Sequence, residues 1–395
     1  MNLENKPALF KASRLAALSA VALVAMAAAG CSTSTTSASS GSGSTASSSS
    51  SSSGTTPNKV TIAGDVTFNQ SNLNALDAQL LAAMKGKSMS SVKIAMVVNI
   101  AADYWKAGQA GFAKGCAAAG VSNADCIYYA PPSGQIASQI SELSTLRSQG
   151  LTGYEISAID PAALATGIKG DVAKGTDVLA IDSPLPTSVV STLYLGTPNY
   201  EAGFKAGTAM KQALGGKGSV AILVGSLTAT NAIQRIQGFK AALAGTSITV
   251  VDTENDNGSA ATAQSDAESI LANHAGVNGL YGVYSYDGPA LATAVKSGGK
   301  AGQVAIISDD ADPATVTAVQ DGTIGATIVQ MPFMQGYTGA LILAADKILG
   351  KSAVDSMVKS YLASDGMTLS SGVGVLTQGD LNAYQSLASS LGISG

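Results

Sequence analysis

The sequence predicts an α/β protein built as two doubly wound, parallel-sheet lobes. Two observations carry this. From Lys93 onward, short apolar runs rich in β-branched residues alternate with helical patterns. The runs also fall into two successive series of five. The first is Lys93–Asn99, Cys126–Ala130, Thr152–Ala158, Asp177–Ile181 and Thr192–Leu195. The second is Ser219–Val224, Ile248–Asp252, Gly279–Val283, Gln303–Ser308 and Ala326–Gln330. Between them lie the helical patterns Tyr104–Ala119, Ile136–Ser148, Glu201–Leu214, Asn231–Leu243, Ala260–Asn273 and Met334–Leu349. Gly120, Gly150, Gly215 and Gly350 stand where helix C-caps are expected. Strands that alternate with helices at this spacing form parallel sheets covered on both faces.

Residues 58–92 lie outside this rhythm and read as an N-terminal extension. Within it, Asn74–Met84 reads as a short helix that packs on the first lobe. After Gly350 the pattern weakens. Ser370–Gly374 is loop-like, and Leu376–Leu391 ends in a short helix. At the other end, Lys6, Lys11 and Arg14 precede an almost wholly apolar run of 15 residues, Leu15 to Ala29. A positive flank, a short apolar core and then small residues make a secretory signal over residues 1–30, too short for a membrane span. Ala28-Ala29-Gly30-Cys31 resembles the lipobox of bacterial lipoproteins. That resemblance implies cleavage before Cys31 and lipidation of its thiol. Residues 32–57 carry no charge and nothing bulky and apolar. Such a segment cannot offset its ordering entropy, and reads as a tether reaching roughly 28 Å. The expected location is extracytoplasmic, with a lipid anchor to the cell membrane.

Composition narrows the function classes. About 340 residues remain beyond the tether, enough for two cores. The net charge is -4, from 22 basic and 26 acidic residues, so nothing in the composition suggests a basic surface for nucleic acid. The chain holds a single histidine, His274, and no Cys-x-x-Cys motif, which argues against a metal site and against any cofactor held by one. Cys116 falls late in a predicted helix and Cys126 at the start of the next strand. In an oxidising compartment a bridge between them would staple one corner of the first lobe; the alternative is two buried thiols.

In open α/β sheets ligands bind beyond the carboxyl ends of the strands. Those ends supply Asn99, Asp103, Tyr104 and Trp105, then Asp160, then Asp182 and Ser183. The second series supplies Ser226, Thr228, Asn231 and Arg235, then Ser285, Tyr286 and Asp287, then Asp309 and Asp310, then Gln330. Carboxylates accept two hydroxyl hydrogens each, arginine donates in a planar fork, and amides do both. Vicinal hydroxyls of a sugar need such partners, and its C–H faces need an aromatic plate. Each group also has an ordinary structural use. Asp160 before Pro161 is a helix N-cap, the Tyr104–Trp105 pair could be core, and at most one of Asp309 and Asp310 is expected to face a ligand.

These residues resemble the periplasmic sugar-binding proteins of the ribose-binding type, receptors of ABC transporters with the periplasmic binding protein type I fold. The resemblance covers about residues 91–350. The family's aromatic pair after the first strand matches Tyr104-Trp105, with Ala102-Asp103 in place of its Asn-Pro. Its Asp-Arg matches Asp182-Ser183, so the Asp carries over and the Arg does not. Its Arg-x-x-Gly-Phe matches Arg235 to Phe239, its Asn-Asp matches Tyr286-Asp287, its Phe-Asp matches Asp309-Asp310, and its Gln-x-Pro matches Gln330-Met331-Pro332. The resemblance implies ligand binding by Asn99, Asp103, Tyr104, Trp105, Asp182, Arg235, Tyr286, Asp287, Asp310 and Gln330. It implies a hinge of three crossings, near Gly196–Asn199, Gln330–Pro332 and Tyr361. The first lobe then comprises residues 91–197 and 331–361, and the second 198–330 and 362–395. The implied function is capture of a monosaccharide or similar polyhydroxylated molecule in the cleft, without cofactor, by a monomer that delivers it to an ABC permease. Three rivals follow from the same residues: a sensory lipoprotein, a nucleoside-type receptor, and a glycoside-acting enzyme using Asp182 and Asp310. Nucleophile chemistry is disfavoured, with no Gly-x-Ser-x-Gly elbow and one histidine in an ordinary helix. A repressor with this core would need a basic DNA-binding segment, which the chain lacks.

Overall fold

A computed structural model describes residues 64–393, apart from Asn69 and residues 189–191. The signal segment, Cys31 and the tether lie outside the described residues. The first sheet contains β1 (Ile94–Val97), β2 (Cys126–Tyr129), β3 (Gly153–Ile156), β4 (Asp177–Ile181) and β5 (Tyr194–Gly196). The second contains β6 (Lys217–Val224), β7 (Ser247–Asn255), β8 (Val277–Gly282), β9 (Ala305–Asp309) and β10 (Ala326–Val329). Two short strands complete them, β11 (Thr368–Ser370) and β12 (Gly374–Leu376). The spatial orders are β11-β5-β4-β3-β1-β2 and β12-β10-β9-β8-β6-β7. All pairings are parallel except that β12 runs antiparallel to β10.

The helices are α1 (Ser71–Met84), α2 (Tyr104–Ala119), α3 (Ile136–Ser148), α4 (Pro161–Ala173), α5 (Asn199–Ala213), α6 (Thr230–Leu243), α7 (Ala260–Asn273), α8 (Asp287–Ser297), α9 (Pro313–Gln320), α10 (Pro332–Leu349), α11 (Lys351–Val358) and α12 (Leu381–Leu391). Period-two alternation in the strands serves both faces of each sheet. In β1, Ile94 and Met96 pack with Phe112 of α2 and Leu341 of α10, while Ala95 and Val97 pack with Leu143 of α3 and Ile168 of α4. In the second lobe, Ile222 and Val224 meet Met210 of α5 and Phe239 of α6, while Ala221 and Leu223 join Ala267 of α7 and Leu291 of α8. The continuous apolar runs of the sequence are thus strands buried on both sides.

α5 and α6 approach closely enough that a Cβ on Gly203 would overlap the carbonyl of Arg235. That contact fixes the backbone from which Arg235 reaches the cleft. Cys116 and Cys126 are joined by a disulfide with Cα atoms 6.3 Å apart. Bridging so short a loop contributes about 2–3 kcal/mol in the loop-entropy account.

The chain passes between the sheets between β5 and α5, between β10 and α10, and between β11 and β12. The third passage corrects the expectation that the hinge crosses near Tyr361 and that residues 362–395 belong to the second lobe. Thr368–Ser370 pairs in register with Tyr194–Gly196 of the first sheet, so the crossing falls at Ser371–Val373. A three-residue strand is too short to show a period, so β11 and β12 leave no signal in the sequence, while the loop-like reading of Ser370–Gly374 holds for Ser371–Val373 between them. The extension also does more than sit on the first lobe. α1 packs against α10, with Thr338 Oγ1 donating to buried Asp77 at 3.2 Å, while Asp65 exchanges two backbone hydrogen bonds of 3.1 Å with Val375 of the second sheet.

Candidate functional site

The carboxyl ends of the two sheets face each other across a cavity of about 430 Å3. At its inner end Arg235, 1% exposed, organises the polar groups. Its Nε donates to Asn199 Oδ1 at 2.9 Å, and its Nη1 donates to Val283 O and Asp309 Oδ2, both at 3.1 Å. Its Nη2 donates to Gln330 Oε1 at 2.6 Å and stands 3.9 Å from Asp182 Oδ1. Asp309 is otherwise held by the Tyr281 hydroxyl at 3.1 Å. Of the adjacent pair, then, Asp309 is committed to Arg235 and Asp310 lines the cavity.

Asp182 and Asp310 follow β4 and β9 and share an unusual backbone, with φ of 60° and 69°. Non-glycine residues seldom hold this left-handed conformation, and it turns both carboxylates back over the strand ends. Each spends one oxygen on the protein. Asp182 Oδ2 accepts from Ser157 Oγ at 2.8 Å and Asn231 Nδ2 at 3.2 Å; Asp310 Oδ1 accepts from Gln330 Nε2 at 2.7 Å. Asp182 Oδ1 and Asp310 Oδ2 make no hydrogen bond among the described residues.

Three carboxyl groups around one guanidinium leave an excess of negative charge. Burial raises Asp310 well above the usual carboxylate range, against the pull of Arg235. Burial likewise raises Asp182, and takes Asp309 up to about 7 despite its contact with Arg235. Burial alone would lower Arg235, but Asp309, Asp310 and Asp182 together more than reverse that and hold it charged. An acid with a raised pKa can donate as well as accept, which suits it to a hydroxyl.

Tyr104 and Trp105 meet edge to face with centroids 4.8 Å apart, and Trp105 Nε1 donates to Asn99 Oδ1 at 2.8 Å. All three line the cavity. Trp105 is only 2% exposed, so the pair is both core and wall. From the second lobe Tyr286 lines the cavity too. The structure therefore brings together Asn99, Tyr104, Trp105, Asp182, Arg235, Tyr286, Asp310 and Gln330.

Two expected residues are not there. Asp287 is fully buried behind the cavity, where its Oδ2 accepts from the backbone of Tyr284 at 2.9 Å. Burial, and then the nearby Asp256, raise it well above the usual carboxylate range, and it serves the β8–α8 turn instead of the cavity. Asp103 begins α2 pointing outward, its side chain 46% exposed and paired with Lys106 Nζ at 2.6 Å. It borders a separate hollow of about 190 Å3 on the other side of Tyr104. Sequence reasoning in turn missed Gln135, Asn255, Asn257 and Tyr284, all of which line the cavity. Gln135 follows β2, Asn255 ends β7 and Asn257 follows it; these are the outer strands, and the strand-end rule finds all three once it is applied there as well. Asp160 is both the expected N-cap of α4, accepting from Ala162 and Ala163, and a wall residue.

The architecture and site have counterparts among known proteins. The family described as periplasmic binding protein domain matches residues 94–352. This chain belongs to that family. A D-ribose/D-allose-binding protein of Pseudomonas aeruginosa is 26% identical over 207 residues, which is 51% of this chain and 65% of that protein. The chain thus aligns with less than two thirds of that relative's length. Among solved structures, an ABC transporter solute-binding protein from Burkholderia graminis in complex with D-arabinose has a TM-score of 0.67 at 28% identity, covering 75% of this chain and 99% of that one. A glucose-galactose binding protein from Geobacillus stearothermophilus has a TM-score of 0.65 at 29% identity, covering 73% and 99%. In keeping with that family, the chain folds as two parallel-sheet lobes around a cleft.

Proposed function

We propose that this protein is an extracytoplasmic solute-binding lipoprotein that captures a sugar or similar polyhydroxylated molecule between its lobes and delivers it to an ABC transporter permease. One observation carries the reading. Asp182 and Asp310, each with one oxygen that makes no hydrogen bond among the described residues, converge with Arg235 and Gln330 on a cavity walled by Tyr104 and Trp105. This is hydrogen-bonding capacity for hydroxyls beside an apolar plate for a ring face. Support comes from relatives whose names state that they bind ribose and allose, arabinose, or glucose and galactose. The disulfide fits an oxidising compartment. In this reading the signal directs export, the lipid on Cys31 holds a monomeric receptor at the membrane, and hinge closure on the ligand presents the form the permease accepts.

The test is a thermal-shift screen against pentoses, hexoses, polyols and nucleosides. A true ligand at one hundred times its dissociation constant stabilises by about 2.7 kcal/mol, a shift of several degrees. Asp182→Asn and Asp310→Asn keep the side-chain shape, and asparagine tolerates the left-handed backbone. Both variants should melt within a few degrees of the parent and lose the shift. If the screen is silent for sugars, or both variants respond as the parent does, the reading falls.

A further inference from the structure

The cavity is longer than one sugar ring, and its two ends differ in chemistry. Along the first sheet the order outward from the hinge is β4, β3, β1, β2; along the second it is β9, β8, β6, β7. Residues beyond all eight strands line the cavity. Three intervals at the ~4.8 Å spacing of neighbouring strands make about 14 Å, roughly twice the breadth of a pyranose. The 430 Å3 of the cavity would hold about 14 waters at ~30 Å3 each, far more than one sugar ring displaces.

This size does not come from lobes held apart. On the cavity floor Asn231 of the second lobe donates from Nδ2 to Asp182 at 3.2 Å and from its backbone to Ser183 Oγ at 3.3 Å. At the rim Ile100 of the first lobe reaches the β7–α7 loop of the second: a Cβ placed on Gly258 would stand 3.5 Å from Ile100 Cδ1. The lobes are bonded at the floor and come close at the rim, and the space remains.

The inner end is ionic and nearly dry, with Asp182, Arg235, Asp310 and Gln330 all buried. The outer end is lined by Gln135, Asn255 and Asn257, all uncharged, with Asn255 half-buried and Gln135 and Asn257 exposed at the mouth. Asn255 and Asn257 hold one another in place, Asn255 Nδ2 donating to Asn257 Oδ1 at 3.2 Å and Asn257 Nδ2 to Asn255 O at 3.2 Å. Opposite them the Gln135 carboxamide makes no hydrogen bond among the described residues, and Ile100 and Leu227 supply apolar surface. Amides that donate and accept, beside aliphatic side chains, suit a second polyhydroxylated ring. They do not suit a phosphate, and Tyr286, whose hydroxyl a Cβ on Gly258 would approach to 3.9 Å, adds an aromatic group beside the same loop.

Resting on the sugar-binding reading above, we infer that the outer half of the cleft is a second subsite, and that the ligand is a disaccharide or other glycoside. Its first ring lies on the carboxylates and its second between Gln135 and the Asn255–Asn257 loop.

The experiment is calorimetric titration of the full folded chain with matched sets: D-xylose and xylobiose, D-glucose with cellobiose and maltose, D-galactose and lactose, and the methyl glycosides of each. At least one disaccharide should bind ten-fold or more tightly than its own monosaccharide. Gln135→Ala and Asn255→Ala should each shrink that ratio at least three-fold, whereas Asp310→Asn should abolish binding of both members. If monosaccharides bind and every disaccharide binds more weakly or not at all, the second subsite is refuted while the sugar-binding reading stands. The same holds if the outer variants weaken both members equally. If no sugar of either length binds, both fall together.

Discussion

Arg235 is the residue whose loss the protein can least absorb. Its guanidinium is buried and bonded to Asn199, Val283, Asp309 and Gln330. Arg235→Ala would leave Asp309 buried without its cation and open a void between α6 and the sheet. Removing one partner of a buried ion pair costs about 3–5 kcal/mol. The melting temperature should therefore drop by roughly 10 °C, at 2–4 °C per kcal/mol for a domain of this size class. Melting followed by circular dichroism checks this, and an unchanged midpoint would mean that Asp309 does not depend on Arg235. Asp182 and Asp310 differ in kind, since their asparagine variants lose ligand contacts rather than fold. Asp182, Asp310 and Gln330 could be read from the sequence because each follows a recognisable strand, where backbone position alone brings it to the cleft, whereas Arg235, in the second turn of α6, was placed by its match to the Arg-x-x-Gly-Phe pattern. Asp103 and Asp287 could not be placed this way. Both sit at the first turn of a helix, where a change of about 100° per residue decides between cleft, core and solvent.

At the scale of elements, the N-terminal extension is the part of the fold least visible in the sequence and most involved in the hinge. Residues 64–70 run beside the third crossing: Asp65 pairs with Val375, and Gln70 Nε2 donates to Ser371 O at 2.7 Å. α1 then docks on the first lobe, so this segment ties the two lobes alongside the three crossings. From the other terminus Lys114 of α2 donates to Leu391 O of α12 at 2.6 Å, a further tie. Gly372 makes the first tie possible. It has φ of 78°, and a Cβ there would overlap the backbone carbonyl of Phe68. Gly372→Ala should push the extension off the crossing at a cost of about 1–3 kcal/mol, in the range of strained-backbone substitutions. Limited proteolysis should then cut between Gly64 and Ser71 faster than in the parent. Equal cleavage rates would show that the extension is not clamped there. Nine of the strands were legible from apolar period and length, and the three-residue β5 from its place in the repeating strand–helix series. β11 and β12 were not, because three residues carry no period, and their places are set by pairing with Tyr194–Gly196 and Thr327–Val329 across the fold.

For the molecule as a whole, the buried acids set how stability responds to pH. Burial pushes Asp77, Asp309 and Asp346 up to about 7 and Asp312 up to about 6. They lie in different places: Asp77 under α1, Asp309 beside Arg235, Asp346 late in α10, Asp312 before α9. In the unfolded chain each titrates near 4. Between about pH 4 and 7 the folded protein therefore binds more protons than the unfolded chain, and stability falls as pH rises. The contribution of these groups is whole below about pH 4 and is lost on passing through 7. Asp65 and Asp365 are shifted the other way, chiefly by the hydroxyl of Thr67 and, against slight burial, by that of Thr368, but both are exposed and act only at lower pH. The melting temperature should thus be higher at pH 5 than at pH 8 at constant ionic strength. Asp77→Asn can still accept from Thr338, removes one titrating group, and should flatten part of that slope without lowering the midpoint at pH 8. A melting temperature that is level or rises from pH 5 to 8 would mean these carboxyl groups are ionised in the folded protein, and that burial does not govern their charge.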